Sequence, residues 1–151
     1  MEMMAERRFF ARVQVGRPPE ATFEWISDYR NAARVLDGLT HWKPLGAETR
    51  GRGARFEVGM HALGFPLENV LVIDTWREPD AIGWHSEAGL IRQEGSWRFR
   101  QHDGGTEVTL TITYEPPVGH VVGLLASRVD GLVQRRLEEA LQRLKEEVEH
   151  A

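Results

Sequence analysis

Six strand candidates, each closed by a turn, fill the middle of this chain and commit it to an antiparallel sheet. The clearest is Thr106–Glu115, where Val108, Leu110, Ile112 and Tyr114 share one face and Thr109, Thr111 and Thr113 the other. In Ile91–Gln101, the residues Ile91, Gln93, Gly95, Trp97 and Phe99 alternate with Arg92, Glu94, Ser96, Arg98 and Arg100. Phe56, Val58, Met60 and Ala62 do the same within Ala54–Ala62. Thr40–Glu48, Leu67–Arg77 and Ala81–Glu87 complete the set, although the middle of Leu67–Arg77 is apolar on both faces and leaves its register open. Such alternation describes a sheet with one buried and one wet side.

The turns between these strands fall into two chemical classes. Gly51-Arg52-Gly53, Glu78-Pro79-Asp80 and His102-Asp103-Gly104-Gly105 are polar. Leu63-Gly64-Phe65-Pro66, Ala88-Gly89-Leu90-Ile91 and Pro116-Pro117-Val118 are apolar. In a meander, alternate turns lie at the same end of the sheet, so the chain builds a wet end and a greasy end. Solvent-facing turns have no folding reason to carry Leu, Phe, Ile and Val. Function is expected at the greasy end.

Three helices frame the strands. Phe9–Val15 reads as a first strand, and Pro18-Pro19-Glu20 then opens a short helix running to about Ser27. Asp28 caps a second, Tyr29–Leu36, which Gly38 ends. From Val118 to Val148, apolar residues step by three and four, the mark of one long amphipathic helix about 45 Å in length. Glu139, Arg143 and Glu147 are spaced for ion pairs along it.

With 151 residues, the chain is expected to form one domain, 1–151, with a single core. Its net charge of -4 argues against a nucleic-acid partner. There are no cysteines, which excludes disulfides and thiolate chemistry and fits a reducing cytoplasm. Met1–Arg8 lacks the apolar run of a secretory signal, and the longest apolar stretch, Val121–Ala126, is far short of the roughly 20 residues of a membrane span. A soluble, cytoplasmic protein is expected.

The order β-α-α-β6-α resembles the helix-grip fold of the START-like (SRPBCC) superfamily. Pro18–Asn31 is similar to the opening helix of that superfamily. Trp76-Arg77-Glu78-Pro79, Ile82, Trp84, Gly95-Ser96-Trp97-Arg98-Phe99 and Gly105-Thr106-Glu107-Val108-Thr109 are similar to its polyketide cyclase/dehydrase branch. The resemblance implies an α+β fold: a seven-stranded antiparallel sheet wrapped around the C-terminal helix, with two short helices between the first two strands. It also implies an elongated cavity between sheet and helix, holding a lipid, sterol or polyketide-like molecule.

The expected ligand-binding residues are Met60, Leu63, Phe65, Leu67, Asn69, Trp84, Ser86, Ile91, Gln93, Ile112, Tyr114, Val121, Val122 and Leu125. Leu63, Phe65, Leu90 and Val118 would form lips where the helix N-terminal half meets the sheet. Asn69, Ser86, Gln93 and Tyr114 would supply the few orienting hydrogen bonds, since inward polar groups need partners. Core packing is the expected role of the tryptophans other than Trp84. No linear histidine pattern for a metal occurs, nor any nucleophile elbow, phosphate loop or paired carboxylates. Neither catalytic residues nor a cofactor nor a metal are therefore expected. The leading expectation is a carrier of a small hydrophobic ligand with transient membrane contact. A cyclase using Tyr114, Gln93 or His120, and a homodimer or interaction module built on the apolar end, are the alternatives.

Overall fold

The structure is a computed structural model. It describes the backbone of residues 6–62, 64–89, 91–115 and 120–151, and the side chains of these except 62, 65 and 120–127. Strand β1 (Arg7–Val15) is followed by helices α1 (Pro19–Ile26) and α2 (Tyr29–Val35). Then come β2 (Leu39–Pro44), β3 (Arg55–Ala62), β4 (Phe65–Arg77), β5 (Ala81–Gly89), β6 (Arg92–His102), β7 (Gly105–Glu115) and helix α3 (His120–Glu149). One seven-stranded antiparallel sheet runs in the order β1-β7-β6-β5-β4-β3-β2. This is the expected helix-grip architecture.

Local chemistry sets the helix ends. Pro18 stands in an extended conformation before α1, whose first residue is another proline. The Asp28 carboxylate accepts the Arg30 amide at 3.0 Å and starts α2. Gly38, at φ +84°, reverses the chain between α2 and β2 in a conformation that costs glycine little.

The tightest packing lies toward the wet end. Phe23 of α1 meets Trp76 and Phe99 edge-on, with centroids 5.5 and 5.7 Å away. Trp97, Val108 and Leu110 from the sheet and Leu141, Leu144 and Val148 from α3 close this core. A second cluster of Ala54, Phe56, Val58 and Leu71 lies under β2–β4. On the outermost strand β1, the carbonyls of Phe10 and Gln14 accept hydrogen bonds from Gln134 and Lys145 of α3 at 3.1 and 2.8 Å.

Two local expectations are corrected. The second strand ends at Pro44 rather than Glu48, with one further backbone bond from the Leu45 amide to the Arg55 carbonyl at 2.8 Å before the chain turns away at Gly46. Arg143 does not pair along α3; it grips Asp37 with two parallel bonds of 2.6 and 3.0 Å. A bidentate fork of this kind outcompetes a single contact along the helix. Glu147 is taken instead by Arg34 at 2.7 Å.

Candidate functional site

Between the inner face of the sheet and α3 lies a cavity of about 150 Å³. The expected residues Met60, Leu67, Asn69, Trp84, Ile91, Gln93, Ile112 and Tyr114 line it. The open register of β4 resolves so that Leu67, Asn69 and Leu71 face inward, opposite Met60, Val58 and Phe56 of β3. Bulges at Val70/Leu71 and Ile73/Thr75 shift its pairing with β5. Ser86 is a correction. Its hydroxyl accepts the Gln93 amide at 2.9 Å, and it borders an open polar groove with Arg92, Glu94 and Thr113 rather than the cavity. Leu63, the Phe65 side chain, Leu90, Val118 and the side chains of His120, Val121, Val122 and Leu125 lie outside the described residues.

The wall contains residues that alternation alone does not single out. Trp42 of β2, Leu36 and Asp37 after α2, and Val129, Leu132, Val133 and Arg136 of α3 all face the cavity. A smaller chamber of about 50 Å³ lies deeper, walled by Tyr29, Phe56, Ile73 and Trp97, and shares Leu36, Trp42, Leu71 and Trp84 with the first. The two indoles thus stand where one space gives way to the next. Gly95 explains how Trp84 fits: a Cβ at that position would overlap its indole ring.

Among the described residues, three buried polar atoms of this wall find no hydrogen-bond partner: Trp42 Nε1, Trp84 Nε1 and Asn69 Oδ1. An unsatisfied buried donor or acceptor costs about 1–3 kcal/mol. Two indole donors and an amide oxygen left unpaired in residues that wall an apolar space are therefore places where a polar partner would be stabilising.

Tyr114, by contrast, is already engaged. Its hydroxyl donates to Asp130 Oδ1 at 2.9 Å, and Arg7 holds the same carboxylate with bonds of 2.7–3.1 Å. Burial and the neighbouring carboxylate push the Tyr114 phenol well above its ordinary value. The Arg7 guanidinium holds Asp130 below the usual carboxylate range, with Tyr114 adding to the effect. The triad ties β1, β7 and α3 together beside the cavity.

On the outer face of the sheet, His41 Nε2 lies 3.2 Å from Glu57 and 3.1 Å from Glu68. Among the described residues, these are the three side chains whose donor atoms converge closely enough to hold a cation, all within 4.8 Å of one another. They belong to three adjacent strands, which no linear histidine motif would disclose. Strand alternation places them away from the cavity.

A family model described as "Polyketide cyclase / dehydrase and lipid transport" matches residues 7–149. The chain belongs to this family. Several solved structures are similar to this cyclase/dehydrase and lipid transport family member. TTHA0849 from Thermus thermophilus is 26% identical, covers 94% of this chain and 97% of its own, and superposes with a TM-score of 0.82. A START superfamily protein from Mycobacterium smegmatis is 15% identical, with 93% and 98% covered and a TM-score of 0.72. StfQ, the di-domain ARO/CYC of the steffimycin biosynthetic pathway, is 16% identical; the match covers 94% of this chain and 44% of that one, with a TM-score of 0.62. The last two share the fold with this family member. Among curated proteins, none matches the chain. No helix among the described residues is long and apolar enough to cross a membrane.

Proposed function

We propose that this protein binds a small, oxygen-bearing hydrophobic molecule between its sheet and α3. The observation that carries this reading is the set of unpartnered atoms Trp42 Nε1, Asn69 Oδ1 and Trp84 Nε1 on an otherwise apolar wall. A carbonyl or hydroxyl of the guest satisfies the indole donors, and a hydroxyl satisfies the amide oxygen. Apolar contact supplies the rest. At about 25 cal/mol per Å², burying roughly 250 Å² of guest contributes about 6 kcal/mol before association costs.

Binding is favoured over turnover by the chemistry of the described wall. Asp37 is held ionised, chiefly by its hydrogen bonds to Arg143. Tyr114 is held protonated by burial. Arginine stays a cation at physiological pH. None of these is poised to take and return a proton near neutrality, as general acid–base catalysis requires. The fold relatives include an ARO/CYC protein, so the cyclase reading is tested alongside.

Native mass spectrometry of the purified protein, together with displacement of the neutral probe N-phenyl-1-naphthylamine, tests the proposal. Expected is a bound apolar species, or probe binding that a Val133→Phe substitution abolishes. A protein that carries nothing and binds no apolar probe would falsify the reading. Conversion of a bound polyketide-like compound, abolished by Tyr114→Phe, would replace it with the cyclase.

A further inference from the structure

Arg136 occupies a position where a cation is costly. On α3, Val129, Leu132, Val133, Leu137 and Ala140 form the apolar stripe, and Arg136 falls within it. The side chain is half-buried and forms part of the cavity wall. Among the described residues, it makes no hydrogen bond or ion pair with another side chain or with the backbone. The carboxylate next to it, Asp37, is bound at both oxygens by Arg143. Burial pulls the guanidinium below its ordinary value, as expected of a cation taken from water without a partner.

The guanidinium also has a close backbone neighbour. It lies against the backbone of Gly38, where any Cβ would overlap Cζ and both terminal nitrogens. The planar fork thus lies beside the turn between α2 and β2, where a glycine leaves room for it. Five N–H donors in a fixed plane match the two oxygens of one carboxylate.

We propose that Arg136 is a head-group site, and that the ligand is an amphipathic monocarboxylic acid with its carboxylate on Arg136 and its apolar body directed toward Trp42 and Trp84. This rests on the cavity being a ligand site, as argued above. A single negative charge is specified because Asp37 shares the wall. A dianionic phosphate would neutralise Arg136 and leave its second charge facing that carboxylate. The space sets the size. An apolar cavity of about 150 Å³ is known to take one benzene ring, so the body is a single ring or an equivalent length of hydrocarbon. The adjoining smaller chamber admits a further small extension.

The test compares matched acids and esters. 4-Phenylbutanoate and decanoate, and the methyl ester of each, are titrated into the intact protein, reading calorimetric heat and tryptophan emission. Expected is at least tenfold tighter binding of each acid than of its ester. In Arg136→Gln, the acid should fall to the affinity of the ester while the ester stays within twofold of its wild-type value. Arg136→Lys should keep part of the preference, because an ammonium offers charge without the fork.

Equal binding of acid and ester by the wild-type protein overturns the head-group proposal and leaves the cavity reading intact. That comparison needs no variant to fold. Equal loss of acid and ester in a folded Arg136→Gln assigns the residue a packing role and likewise overturns it. Failure of all four compounds to bind overturns the cavity reading and this proposal together.

Discussion

The same strands finish the two ends of this molecule in opposite ways. Strand β6 gives Phe99 to a sealed half and Gln93 to a hollow one; β7 gives Val108 and Leu110 to the first, Ile112 and Tyr114 to the second. Helix α3 repeats the division, with Leu141, Leu144 and Val148 packed shut and Val129, Leu132, Val133 and Arg136 facing the cavity. What differs is a third element. Helix α1 drives Phe23 into the core of the sealed half. In the hollow half, sheet and α3 face each other across the gap, and residues with unpaired polar atoms wall it. A cavity here is a property of what is withheld, and stability and binding are thereby assigned to different residues of the same elements.

That division can be broken most sharply in the sealed half. Leu144 is wholly buried, and Leu144→Ala should cost about 3–4 kcal/mol by urea unfolding. A loss below about 1 kcal/mol would mean that this half is not the stabilising one. Next in size is the clamp. Asp130→Asn should lower the urea midpoint by less than Leu144→Ala does, since it leaves Arg7 without its charged partner and weakens the bond from Tyr114. The folded-state pKa of Asp130 is lowered, so its contribution is present above the unfolded value and lost as pH falls through the folded one. The variant should accordingly show a shallower acid limb than the wild type.

Within the hollow half, effects on stability should be small and effects on binding large. Val133→Phe should change stability by less than about 1 kcal/mol, because its added volume enters existing space, whereas overpacking a solid core costs about 1–3 kcal/mol. Probe binding should vanish. Gly95→Ala should push the Trp84 indole into the cavity, shifting tryptophan emission and weakening the probe severalfold. The smallest effect is expected of Trp84→Phe, which removes one donor: about a fivefold loss for a guest with an oxygen, near 1 kcal/mol, and little for a pure hydrocarbon. Equal losses for both guests would reduce Trp84 to a wall.

How far the sequence discloses this arrangement depends on the element. Strands β6 and β7 and the tryptophan of β5 alternate cleanly, so the inward direction of Trp84, Gln93, Ile112 and Tyr114 was legible. Strand β4 is apolar on both faces and carries two bulges, and only its pairing with β3 turns Asn69 inward. Trp42 sits on a strand cut short at Pro44, where a longer reading gave no reliable alternation. The Arg7–Asp130 contact joins residues 123 positions apart and leaves no local trace. Ser86 was misjudged because its hydroxyl is consumed by its own hairpin. Arg136 did leave a signal, a cation on an apolar helical stripe, and its meaning emerges only once Gly38 and Asp37 are seen beside it.

One consequence follows from the bonds that Gln134 and Lys145 make to the carbonyls of β1. A sheet that does not close on itself exposes a margin on which a foreign strand can grow, the usual seed of fibrous self-assembly. Here the helix that roofs the chamber also stoppers that margin with an amide and an ammonium. Losing either side chain would spare the guest and endanger the solution, turning a vessel into a template.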